Sequence, residues 1–119
     1  MCAWCCAGKV CWSRDGKYLV TYNENMATTV WIWDVQQLQL TAVLLQTSKV
    51  TDVSWDSQQA RLLICTGSSI IYLWSPEGAS CVHVPLSGFE ACSAAWSPDG
   101  RKLVLSDRDA YCCAYLESK

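Results

Sequence analysis

Tryptophan recurs along this chain in two interleaved ladders, and together they constrain the fold more than any other feature. The first runs through Trp12, Trp55 and Trp96, spaced 43 and 41 residues apart. The second runs through Trp33, Trp74 and Tyr115 at 41-residue intervals. Around the first ladder, KVCWSRDGKYLVTYNEN, DVSWDSQQARLLICTGS and SAAWSPDGRKLVLSDRD align. Two ladders with one period mark stacked structural repeats, each too small to bury its apolar surface alone.

Within each unit the pattern is that of short strands. An apolar run ends at the first-ladder tryptophan, and a turn follows: Arg14-Asp15-Gly16, Asp56-Ser57-Gln58-Gln59 or Pro98-Asp99-Gly100. Proline presets one turn dihedral and glycine permits positive φ, so SPDG is a turn with a mechanism. A second strand, KYLVTY, RLLICT or RKLVLS, leads through a polar break to a third that carries the second ladder. A weaker fourth strand, LTAVLLQ or SCVHVPL, follows in two units. No segment of ten or more residues has helical periodicity. Four strands per roughly 40–45 residues, ending in Trp-Asp, describe a blade of a WD40 β-propeller. The expected fold is therefore all-β: a partial WD40 propeller of about three four-stranded blades, the last one incomplete, forming an open arc. The units fall at approximately 8–48, 49–89 and 90–119, with residues 1–7 unassigned. The repeat positions are Trp12, Trp33, Asp34, Trp55, Trp74, Trp96 and Tyr115. In TTVWIWD the strand has no polar face, as expected of a sheet held between two others. Val30 and Ile32 should meet one neighbour, and Trp31 and Trp33 the other. An arc exposes blade faces and sheet edges, so the isolated chain should be marginal or self-associating.

The chain reads as the C-terminal arc of a larger, intracellular ring: its N-terminus, MCAWCCAGKV, does not have the pattern of a signal peptide. Hydrophobic residues make up 51% of the chain, enough for a packed core. Nine basic residues against eleven acidic ones give no reason to expect nucleic acid as a partner. No apolar run approaches the roughly 20 residues of a membrane-spanning helix, so no membrane insertion is expected. Most of the nine cysteines lie in apolar runs such as LLIC and YCCAY, where a thiol acts as a small hydrophobe. Cys2, Cys5, Cys6 and Cys11 could supply four thiolates to zinc, which makes a cysteine-based metal or redox protein the rival from another class. Structural zinc sites usually separate two ligand pairs by a dozen or more residues, so no metal and no cofactor is expected.

No enzyme is expected either. His83 is the only histidine and stands in an apolar strand, and the aspartates fall in turns, where that residue type is common for its local hydrogen bonding. Cys81 and His83 share a strand face but have no orienting third group. No phosphate loop or HExxH motif occurs, and no small-molecule ligand is expected. For partner binding, Phe89 and Glu90 are the candidates: the one phenylalanine falls in a loop, where it is either a contact anchor or core tucked under a blade.

The run NENMATTVWIWDVQQLQLTAVLLQ, followed by WDSQQARLLICTGSSIIYLWSPEGASCVHVP, resembles the last blades of the WD repeat-containing protein eight family. The resemblance spans roughly residues 8 to 117 and is most specific at Trp31-Ile32-Trp33-Asp34 and at the turn with Asp56, Gln58, Gln59, Arg61 and Leu62. It implies a non-enzymatic scaffold of the centrosome and spindle pole. Such a scaffold partners a coiled-coil anchoring protein and supports microtubule anchoring, spindle assembly and cilium formation. A generic WD40 adaptor, such as a ubiquitin-ligase substrate receptor, is the alternative. The chain departs from the general WD40 pattern in that no Gly-His precedes the first strand of any unit, and Gly67-Ser68 stands where an aspartate is common.

Overall fold

The computed structural model describes residues 8–46 and 48–115; the unassigned segment 1–7, with Cys2, Cys5 and Cys6, lies outside them. Eleven strands form three antiparallel sheets among these residues, each a meander in chain order. The first sheet is β1 (Gly8–Trp12), β2 (Tyr18–Asn23), β3 (Thr29–Asp34) and β4 (Gln39–Leu45). The second is β5 (Asp52–Trp55), β6 (Leu62–Cys65), β7 (Ile70–Ser75) and β8 (Gly78–His83). The third is β9 (Ser93–Trp96), β10 (Lys102–Ser106) and β11 (Tyr111–Tyr115). The sheets do not close on one another; they stack as an open arc of successive blades.

The turns explain why the strands start where they do. In the first sheet the Asp15 carboxylate accepts hydrogen bonds from the Ser13 hydroxyl at 2.7 Å and the Lys17 amide at 3.0 Å. Asp99 repeats this in the third sheet with the Ser97 hydroxyl and the Arg101 amide. These bonds hold the Asp99 carboxyl below its ordinary range, chiefly through Ser97 and then Arg101; for Asp15 the Lys17 amide leads and Ser13 follows. Gly16 and Gly100 close the two turns at φ 74° and 73°, a left-handed conformation that glycine takes without a Cβ penalty.

Strand alternation then sorts the side chains between two cores. Leu62, Leu63, Ile64 and Cys65 of β6 are all buried, because a sheet lies against each face of that strand. Leu62 and Ile64 join Val20, Val30 and Ile32 of the first sheet. Leu63 and Cys65 join Leu103 and Leu105 of the third. The expected split of β3 is observed on one side, since Val30 and Ile32 are fully buried against the second sheet. Trp31 and Trp33 lie on the opposite face, and Trp33 is partly exposed.

Two expectations need correction. Tyr115 is not the structural counterpart of Trp74. Trp74 pairs with Leu62 across β6 and β7, whereas the residue opposite Leu103, which occupies the place of Leu62, is Ala114. The innermost pair of that hairpin is Ser106 with Tyr111, five positions apart, where Cys65 pairs with Ile71, six apart, so an unbroken 41-residue spacing lands one residue late. A one-residue slip in a strand reverses the face. Tyr115 therefore points away from the second sheet and is 72% exposed. Phe89, for its part, is not a surface anchor: it is buried with Val84, Ala91 and Leu103 between the second and third sheets.

Candidate interaction surface

The inter-sheet contacts hold the surface in place. At the first junction Tyr18, Trp55 and Trp74 form an aromatic group, with ring centroids 5.6 to 6.4 Å apart and both edge-on and stacked pairs. At the second, Asp56 is fully buried and its Oδ2 lies 2.6 Å from Arg61 Nη2 and accepts from Arg61 Nε at 2.8 Å. The Arg61 guanidinium lies 5.1 Å from the centre of the Trp96 ring and donates to the Gly100 carbonyl at 3.3 Å. Ser57 and Gln58 donate to the carbonyls of Ser97 and Pro98, so the turn of the second sheet clasps that of the third. The turn pattern alone does not predict this clasp. Its signal in the sequence is the aspartate after Trp55, where Trp12 and Trp96 are followed by serine.

On the opposite edge of the stack, Thr51 donates to the Cys65 and Cys92 carbonyls at 3.0 and 2.7 Å. Nearby, burial pushes the Cys65 thiol from 9.0 up to about 12, helped by the charges of Asp52 and Cys92. Burial also pushes the Tyr22 phenol from 10.0 up to about 12, helped first by Asp52. Both groups therefore hold their protons more tightly when folded. Their contribution is intact below pH 9 and is lost as pH rises through 9 to 12, because the unfolded chain then releases protons that the fold retains. Denaturant midpoints measured at pH 8, 10 and 11 are expected to fall, and to fall less steeply in Tyr22→Phe.

The remaining sequence-selected residues take structural places. Trp55 donates from Nε1 to the Cys11 carbonyl and Trp96 to that of Ser54, each at 3.0 Å. Trp33 donates to the Thr21 hydroxyl at 3.1 Å, and Asp34 accepts from the Gln37 amide at 3.0 Å within the turn to β4. Glu90 is exposed, and its amide donates to Asp107 at 3.3 Å. Phe89→Ala is expected to lower stability by about 3 kcal/mol, as truncation of a buried aromatic does. A melting curve reads this, and an unchanged melt would restore Phe89 as a surface residue.

What the described surface offers is adhesive. The outer face of the first sheet carries two cross-strand rows fixed by register. One is Trp12, Leu19, Trp33 and Leu40; the other is Val10, Thr21, Trp31 and Val43. Trp12 and Val10 are 57% and 63% exposed, and Leu45 extends the face at 76%. Two shallow hollows, of about 280 and 360 Å³, lie between β4 and the second sheet. Among the described residues no two acidic or basic side chains meet in either hollow, and no group of three His, Cys, Asp or Glu side chains could hold a metal ion. Polar loops gather at the two ends of the stack. One end carries Asn23–Asn25, Ser68–Ser69 and Asp107–Asp109; the other carries the three strand-joining turns.

No family model matches the chain. It is 43% identical over 113 residues to the mouse WD repeat-containing protein WRAP73, an alignment covering 94% of this chain and 24% of that protein. It is 30% identical over 102 residues to an Arabidopsis thaliana WD repeat-containing protein WDS homolog, covering 82% of this chain and 20% of the relative. The chain thus spans about a quarter or less of these relatives' lengths. A chain in the crystal structure of the mitotic checkpoint complex superposes with a TM-score of 0.64 at 21% identity, covering 86% of this chain and 33% of that one. That likeness bears on the fold alone.

Proposed function

Because the chain belongs to the WD-repeat family, we propose that it works by adhesion rather than catalysis, as part of a protein-interaction scaffold of the centrosome and spindle pole. The observation that carries this is the stack of three blades with polar loops at both ends and an apolar face on the first sheet. The turn carboxylates are committed to backbone geometry, as at Asp15, Asp34 and Asp99, or to the Arg61 clasp, as at Asp56. WD40 blades generally provide rigid surfaces for other proteins. The finer reading is a scaffold that holds a coiled-coil anchoring protein and supports microtubule anchoring, spindle assembly and cilium formation. It rests on the resemblance through Trp31–Asp34 and the Asp56–Leu62 turn, together with the 43% identity to the mouse WD-repeat relative.

Tagged chain expressed in dividing, ciliated cells tests the reading. A focus coinciding with a centrosomal marker, with a coiled-coil protein enriched by proximity labelling, is the expected result. Diffuse cytoplasmic signal with a ubiquitin ligase enriched would favour the generic adaptor instead.

A further inference from the structure

The junction between the first and second sheets is tight at its centre and open at its outer rim. At the centre Leu44, Ile64, Tyr72 and Trp74 pack together. At the rim β8 begins Gly78-Ala79-Ser80-Cys81, and every residue of that strand is exposed. Register sets Ala79 beside Trp74 and Cys81 beside Tyr72, so both side chains turn towards the first sheet. Neither is long enough to reach β4, whose own inward residue there is Ala42. Small side chains on both walls thus leave the two hollows of about 360 and 280 Å³, which share Leu44 and Ala79 in their linings and form one groove. Both walls belong to sheets inside this chain. Blades stack on sheet faces rather than on outer edges, so neighbouring blades at either end of the stack would leave this groove open.

The rim also offers unpaired backbone. β8 pairs with β7 alone, and the Val84 amide extends that ladder to the Ser69 carbonyl. Alternation then turns the amides and carbonyls of Ala79, Cys81 and His83 to the free side. A strand laid there finds partners for its backbone, and its residues opposite Ala79 and Cys81 point their side chains into the groove. Those positions are about 7 Å apart in an extended chain. Cys81 lines the larger hollow only, whereas Ala79 borders both. The hollows differ in chemistry. The larger is walled by Leu44, Ile64 and Tyr72, with no charged residue in its lining. The smaller holds Glu77, the one charged residue lining either, which forms no ion pair among the described residues. The Tyr18 phenol beside it registers a negative field: burial pushes its pKa up, and the charges of Asp34, Asp15 and Glu77 add to the rise. Lys17 offsets part of the Asp15 charge. The smaller hollow therefore suits the stem of a lysine or arginine whose charge ends at Glu77.

We propose that the groove between β4 and β8 binds an extended segment of a partner protein, added as a strand to the free edge of β8. A large apolar side chain of the segment fills the hollow beside Leu44 and Tyr72, and a lysine or arginine two residues away reaches Glu77. Backbone pairing supplies general affinity, and the apolar and acidic hollows select the sequence. The proposal rests on the reading of the chain as a protein-interaction scaffold, and not on where in the cell it acts. A chain that reaches the centrosome but binds no such segment refutes the groove alone. One that binds the segment but stays diffuse refutes the centrosomal reading alone.

Fluorescence anisotropy with two labelled, threonine-rich peptides tests the proposal. Each carries one leucine and one lysine two positions apart, in opposite orders, so that both strand directions are sampled. One of the two should bind the 119-residue chain saturably. Replacing its lysine by glutamate, or its leucine by serine, should weaken binding about tenfold. On the protein, Glu77→Lys changes an exposed turn residue and should weaken binding about tenfold with unchanged far-ultraviolet circular dichroism. Ala79→Phe fills the groove with the chain's own side chain and should abolish binding. Should Ala79→Phe disturb the strand, the charge swap decides: Glu77→Lys should bind the glutamate peptide better than the lysine peptide, which a structural effect would not produce. Absence of binding by both peptides overturns the proposal, as does binding that Glu77→Lys leaves unchanged. Dimerisation of the free chain that Ala79→Phe removes would make a second copy the occupant, and that also overturns it.

Discussion

Asp56→Ala is expected to lower the stability of the chain by about 3 kcal/mol, and its melting temperature by about 10 °C. The carboxylate is fully buried; it accepts from both Nε and Nη2 of Arg61 and, through Oδ1, from the Gln58 amide at 2.8 Å. Removing it leaves a guanidinium held beside Trp96 and Gly100 with no counter-charge, and breaking one partner of a buried pair is what makes such losses large. Arg61 keeps 27% of its side-chain surface in water, which places the loss at the low end of that range. Asp15 and Asp99 occupy the equivalent turns on the surface, so their alanine variants should melt much closer to wild type.

A second measurement isolates the close approach at this site. A Cβ on Gly100 would lie 2.6 Å from Asp56 Oδ1, and the backbone there is left-handed. Gly100→Ala should therefore destabilise by both collision and strain in the wild-type background. In Asp56→Ala the closest collision is gone, leaving the strain and the tight contacts with Gln58 at 3.1 and 3.2 Å, so the double variant should be less damaged than the two single losses added together. Strict additivity would mean that the Gly100 Cβ does not collide with the carboxylate, and an Asp56→Ala melt equal to that of wild type would mean that the clasp contributes nothing.

The blade order was legible in the sequence because it rests on two strong local signals. Trp12, Trp55 and Trp96 each end an innermost strand at a turn, and β6 is apolar on both faces as only a sandwiched strand can be. Face assignments were legible where the hairpin changed by an even number of residues, as from Leu19–Trp33 to Leu62–Trp74, and failed where it changed by one, as to Leu103–Ala114. Tyr115 keeps the 41-residue spacing, yet β11 pairs with β10 one residue earlier than β7 does with β6, which puts Ala114 in the inward place. Phe89 stood open between contact anchor and core for a related reason. It lies outside any strand, but its loop folds back beneath the second and third sheets, as Ser68 and Ala91 show by bridging across that junction. The Asp56–Arg61 clasp was hidden because a turn aspartate is ordinarily a turn former. Its burial comes from the neighbouring blade, which no local pattern reports.

Leu63→Ala and Ile64→Ala, on adjacent residues, should each cost about 3 kcal/mol and should loosen different parts of the molecule. Both side chains are fully buried, but alternation turns Leu63 towards the third sheet and Ile64 towards the first. In a stack where each sheet touches only its neighbours, stability is close to a sum of sheet terms and junction terms. A cavity at Leu63 should therefore release the amides of Leu103 and Leu105 to hydrogen exchange before those of Val20 and Ile32, and a cavity at Ile64 should do the reverse. The first junction also holds the Tyr18, Trp55 and Trp74 rings, whereas the second depends on Phe89 and the Arg61 clasp. Leu63→Ala is accordingly the variant expected to free its outer sheet more completely. Equal loss of protection across all three sheets in both variants would show that the chain unfolds as one cooperative unit, and the additive account of its junctions would then fail.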